Sequence, residues 1–142
     1  MITHQTQRRE AERSTAHYLR ALRRSYLSSA VQSAGGDLKV ALYVLIETGQ
    51  DPQARLTAAH ALAAMSGWTV VTRTFDTTGP TDPTTRPQLA RLLSEVQRGE
   101  VHVVVAASRI DISMFDDRYQ VVLGQLKDGG GGLALAWDET SL

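Results

Sequence analysis

Residues 39–47 read KVALYVLIE, an apolar, β-prone run with no alternation of polar and apolar positions. A strand that is apolar at odd and even positions alike must be covered on both faces, the situation of a central strand in a parallel sheet. The flanking chain fits that reading. Asp51 and Pro52 supply an N-cap and a first helical residue, and Leu56, Ala59, Leu62, Ala63 and Met65 give a helix ending near Gly67. WTVVTRTF (68–75) is a second strand, followed by a long polar loop, DTTGPTDPTTR (76–86). Pro87 opens a helix with Leu89, Leu92, Leu93 and Val96 on one face, closed by Gly99. VHVVVAA (101–107) is a third strand, Ser113 and Asp116 form a capping box for a helix bearing Tyr119, Val122, Leu123 and Leu126, and Gly129 to Gly132 form a flexible hinge before a fourth strand, LALAW (133–137). Strand and helix in this alternation predict an α/β fold of three layers, a mainly parallel sheet with helices on both faces and right-handed crossovers.

Upstream of this body the composition changes. The whole chain of 142 residues is neutral, yet residues 1–39 carry seven basic groups (Arg8, Arg9, Arg13, Arg20, Arg23, Arg24, Lys39) against three acidic ones, leaving a net −4 for the remainder. The turn signal SAGGD (33–37) coincides with the shift and predicts a boundary between a basic helical extension, 1–36, and a globular unit, 37–142. From about Arg8 to Ser33 there is neither Gly nor Pro, and Tyr18, Leu19, Leu22, Tyr26, Leu27, Ala30 and Val31 line one face at helical spacing. Two roles fit such a helix. It can dock on the body or on a second copy with its basic face in solvent, or it can serve as a phosphate-binding or partner-binding arm through Arg13, Arg20, Arg23 and Arg24. Sequence-specific reading of DNA is not indicated, and the apolar face is too short of bulky residues for a membrane surface.

Cysteine is absent and His4, His17, His60 and His102 are scattered, so neither a disulfide framework nor a metal-ligand cluster is expected, nor any other cofactor. No signal-peptide pattern or membrane-spanning stretch is legible, and the cytoplasm is the expected compartment.

In a sheet of this kind ligands sit beyond the carboxyl ends of the strands. Those ends carry Glu47 and Thr48, Asp76, the segment Ser108 to Ser113, and Asp138 with Glu139; Arg86 and Arg109 are the nearby cations.

Five pieces along this body occur in an informative order: Tyr-Val-x-Ile-x-Thr (43–48), Gly-Trp-x-Val-Val (67–71), Phe-Asp-x-x-Gly with Arg-Pro-x-Leu-x-x-Leu-Leu (75–93), and Gly-x-Val-x-Val-Val-Val (99–105). Together they resemble the catalytic domain of the serine recombinases, the resolvases and invertases, over roughly residues 39–139. The resemblance implies DNA cleavage by a serine hydroxyl that attacks a phosphodiester, with arginines stabilising the transition state. It also implies what is missing. Where the family writes Tyr-x-Arg-Val-Ser-Thr, this chain has Leu45 for the arginine and Glu47 for the nucleophile. Against the family's Leu-Asp-Arg-x-x-Arg, Ile110 falls on the aspartate and Asp111 and Met114 on the arginines; a shift by one residue restores Asp111 as the aspartate but leaves Ile112 and Phe115 at the arginines. Arg86 matches a family arginine and Asp76 a loop acid, although an ion pair of Arg86 with Asp76, Asp82 or Glu47 is the plainer expectation.

Thr48 and Ser113 are loop hydroxyls with no visible base, and a carboxylate about 4 Å from an incoming phosphate opposes it by roughly 4 kcal/mol at an effective dielectric of 20. The expectation is therefore a degenerate, catalytically inactive recombinase-like domain that works by binding or assembly. Its partner is expected to be a second copy or another protein, with weak DNA contact as an addition. The sequence ends at Leu142 just past the fourth strand, so the family's dimerisation helix and helix-turn-helix reader are expected to be lacking, with the basic helix standing in for the former. Two enzymatic alternatives stay open: a recombinase using displaced residues, and a metal-dependent phosphoesterase with Glu47, Asp76, Asp111 and Asp138 around a divalent ion.

Overall fold

The computed structural model describes residues 3–141. Helix α1 (His4–Ala34) precedes strand β1 (Lys39–Leu45), and α2 (Gln53–Met65), β2 (Thr69–Asp76), α3 (Pro87–Gln97), β3 (Val103–Ala106), α4 (Asp116–Asp128) and β4 (Gly132–Leu135) follow. All pairings between these strands are parallel, and the sheet runs β2-β1-β3-β4.

The unbroken apolar run of β1 has the burial it called for. Ala41 and Tyr43 face a cluster built with Leu89, Leu92 and Val96 of α3 and Tyr119, Leu123 and Leu126 of α4. Val40, Leu42 and Val44 face the opposite cluster, with Leu56, Ala59 and Ala63 of α2. Each side of the sheet is thus covered by the apolar stripe of at least one helix, and period-2 geometry assigns alternate residues to them.

Helix α1 lies along the β4 edge and bridges the two layers. Leu19 belongs to the first cluster and Ala30 to the second. Residues 3–14 are all exposed, so the helix docks through its second half only. Thr3 caps its start by accepting from the Thr6 amide at 3.2 Å, and Gly35, at φ +66°, ends it in the left-handed conformation that glycine tolerates best.

Gly131 and Gly132 were expected in a flexible hinge, and the structure corrects this. A Cβ on Gly131 would come within 2.5 Å of Val96 Cγ1 and 2.7 Å of the His102 carbonyl, and one on Gly132 within 2.9 Å of Leu27 Cα. These are sites of close approach, where the absence of a side chain lets α1 and α3 pack against the entry to β4. The expected capping box at Ser113 and Asp116 is also displaced. Helix α4 starts after Phe115 without a side-chain cap, Ser113 Oγ accepts from the Phe115 amide at 3.0 Å, and the reciprocal box is formed by Ser108 and Asp111 around a 3₁₀ turn, Arg109–Asp111.

Among the described residues no helix is long and apolar enough to cross a membrane.

Candidate functional site

A cleft of about 430 Å³ opens beyond the carboxyl ends of β1 and β3. The end of β1 lends it Leu45, Ile46 and Glu47, helix α2 lends Arg55, and the loop after β2 lends Gly79, Pro80 and Arg86. The turn after β3 adds Ile110, Ser113, Met114 and Phe115. This is the place a ligand would take in an open parallel sheet.

Glu47 is exposed at the mouth. Its backbone N–H donates to Gln50 Oε1 at 2.8 Å and it bridges to Thr78, so the carboxylate stands on a fixed turn. Leu45 is partly buried beside it.

Asp111 is fully buried and accepts five hydrogen bonds. Oδ1 takes the Leu45 amide at 3.0 Å and Arg55 Nε at 3.0 Å; Oδ2 takes the amides of Ala107 and Ser108, both at 3.0 Å, and Arg55 Nη2 at 2.9 Å. One carboxylate thereby joins the ends of two strands to α2. Arg55 carried no local signal in the sequence, because its helix shows only an apolar stripe and its partner lies 56 residues downstream.

Asp76 is likewise buried. It accepts from the Tyr43 hydroxyl at 2.9 Å and from the amides of Gln88 and Leu89, each at 3.0 Å, which places its charge at the N-terminus of α3. Burial, first of all, pushes the Tyr43 phenol well above its ordinary value, so it remains a donor.

Arg86 is only 1% exposed, and its partners are carbonyls, not carboxylates. Nε and Nη2 donate to Thr81 O at 3.2 and 2.7 Å, and Nη1 donates to Asp111 O at 2.9 Å. The expected ion pair with Asp76, Asp82 or Glu47 is not formed, because Asp76 is engaged by the α3 amides and Asp82 by Thr84. The Thr84 amide and hydroxyl hold the exposed Asp82 carboxyl below its usual range. Arg86 thus locks the loop after β2 onto the turn after β3 while keeping a positive charge at the cleft.

Arg109 turns away. Its Nη1 pairs with Asp116 at 2.9 Å, its Nε donates to Ser113 O at 3.1 Å, and its guanidinium lies 4.6 Å from the centroid of the Tyr119 ring. The metal alternative gains no geometry: among the described residues no three His, Cys, Asp or Glu side chains gather as ligands, and Asp138 sits against α1.

The four arginines expected on a nucleic-acid or partner surface are divided. Arg23 is buried, donating to Glu139 through Nε at 2.6 Å and Nη2 at 3.1 Å and to Leu133 O at 3.4 Å, while the Tyr119 hydroxyl donates to the same Glu139 at 2.7 Å. Its place inside the fold corrects the expectation of a contact surface there. Arg20 and Arg24 pair with Asp138 at 3.6 and 3.4 Å. Arg13 stays on the exposed half of α1, its Nε directed to Arg9 O at 3.4 Å. The Thr140 hydroxyl, followed by the Thr140 amide, Ser141 and Arg20, holds the Asp138 carboxyl at about 2.

No family model matches the sequence, and no curated protein matches it. Solved structures do. The C-terminal catalytic domain of ISC1926 TnpA, an IS607-like serine recombinase, superposes with a TM-score of 0.62 at 16% identity, over 70% of each chain. The N-terminal catalytic domain of TP901-1 integrase gives 0.62 at 17% identity over 69% of this chain and 76% of its own. The first ORF in transposon ISC1904 from Sulfolobus solfataricus P2 gives 0.51 at 16% identity, over 68% and 66%. The chain therefore has the fold of the serine recombinase catalytic domains.

Proposed function

We propose that this chain is a non-catalytic recombinase-like module that acts by binding, through self-association or a protein partner. The observation that carries the reading is Glu47, an exposed carboxylate at the cleft end of β1 where the family resemblance would place a hydroxyl, with Leu45 in place of an arginine. The neighbouring hydroxyls are engaged in local structure: Ser113 accepts from the Phe115 amide and Thr48 donates to Thr77 O at 3.4 Å. Arg86 and the Nε and Nη2 groups of Arg55 are committed to holding the cleft together. The exposed half of α1, with Arg8, Arg9 and Arg13, is the surface left for a partner, and DNA contact there is weak and screened by salt.

The test is to incubate the protein with supercoiled plasmid and denature it. The expected result is no covalent protein–DNA adduct, and none for Glu47→Ser either, because Leu45 leaves a restored hydroxyl without the neighbouring arginine that the family resemblance implies. An adduct formed by the unaltered chain would overturn the proposal. Light scattering beside this assay reports the assembly state.

A further inference from the structure

The same cleft carries features that a closed-off relic does not need. Ile110, Met114 and Phe115 are 38, 64 and 58% exposed, and all three line it. Large apolar side chains grouped at a concave site mark a ligand surface. At about 430 Å³ the cleft lies within the range of about 300–1,000 Å³ usual for small-molecule sites.

Its polar groups narrow the ligand's chemistry. Arg55 uses Nε and Nη2 on Asp111 and Ser108, while Nη1, with two N–H groups, makes no hydrogen bond among the described residues. Arg86 adds a buried positive charge that no carboxylate pairs with among the described residues. Donors and positive charge favour an anion, but Glu47 at the mouth opposes a dianion or an extended polyanion. One negative charge, placed deep and followed by an apolar body, satisfies all of these groups.

We propose that the cleft binds a small amphipathic monocarboxylate, its carboxylate on Arg55 and its aryl or branched aliphatic body against Ile110, Met114 and Phe115. The inference rests on the reading that the cleft no longer holds a scissile phosphate.

Calorimetric titration of the full chain with 3-phenylpropionate tests it, with the neutral 3-phenylpropanamide and inorganic phosphate as comparators. Saturable binding of the acid is expected, at least tenfold weaker for the amide and for phosphate. Met114→Asp, an exposed position whose fold is checked by circular dichroism, is expected to weaken the acid at least tenfold, and Glu47→Gln to strengthen it. Equal binding of acid and amide, phosphate binding as tightly as the acid, indifference to Met114→Asp, or no binding at all would overturn the proposal. A covalent plasmid adduct removes the non-catalytic reading whatever the acid does. Absence of both adduct and acid binding removes only the ligand proposal.

Discussion

Asp111 shows how much a single carboxylate can organise. Its five donors come from β1, the exit of β3 and α2, so its loss leaves three amides without their acceptor and unpairs the partly exposed Arg55. Replacing it with alanine is expected to cost about 3–5 kcal/mol, chiefly from amides left without an acceptor at about 1–3 kcal/mol each, read as a fall in the urea midpoint. Asp138 permits a pH experiment. With its folded pKa depressed to about 2, the ionised form is favoured by folding; that contribution is complete above the unfolded value of about 3.9 and disappears as the pH falls toward 2. Asp138→Asn should therefore lose less stability than the parent between pH 4 and pH 2 in thermal melts. These roles were only partly legible in the sequence. Asp111 stood out as an acid at a strand end, but its work depends on three segments meeting, and Arg55 gave no local sign at all. Arg23 looked like its neighbours Arg20 and Arg24 because nothing within the helix reveals that Glu139 closes over it.

At the level of elements, strands and helices were readable because each has a simple cause. An apolar run without alternation became the two-sided β1, and stripes at three and four residues became the packed faces of α3 and α4. What could not be read was the docking of α1, which is fixed by contacts with the last strand. Arg23 joins this helix to Glu139, whose side chain has no exposure. Arg23→Ala should cost about 3–5 kcal/mol by leaving that carboxylate buried and unpaired. Arg24→Ala, on an arm 59% exposed, should stay within about 1 kcal/mol. Thermal melts of the two variants side by side check the contrast. The glycine run was misjudged for a related reason: a missing side chain signals either freedom or crowding, and only the neighbouring helices decide which.

For the whole molecule, the exposure of residues 3–14 and the burial of Leu19 and Ala30 divide α1 into a free half and an integral half. A chain lacking residues 1–14 should melt as the full one does, whereas a chain lacking 1–36 should fail to give a cooperative transition by circular dichroism, since both apolar clusters lose a member. The sheet itself has one edge under α1 and the other, β2, in solvent. On that edge Val71 sits where the register with β1 shifts, and Arg73 is exposed in mid-strand, two devices that discourage pairing with a second sheet. The Arg23–Glu139 clasp closes a loop of 116 residues between the front helix and the chain's last turn. Breaking that clasp would release the segment after β4 from the front helix, so a pull applied across Arg23 and Glu139 is borne by a buried ion pair.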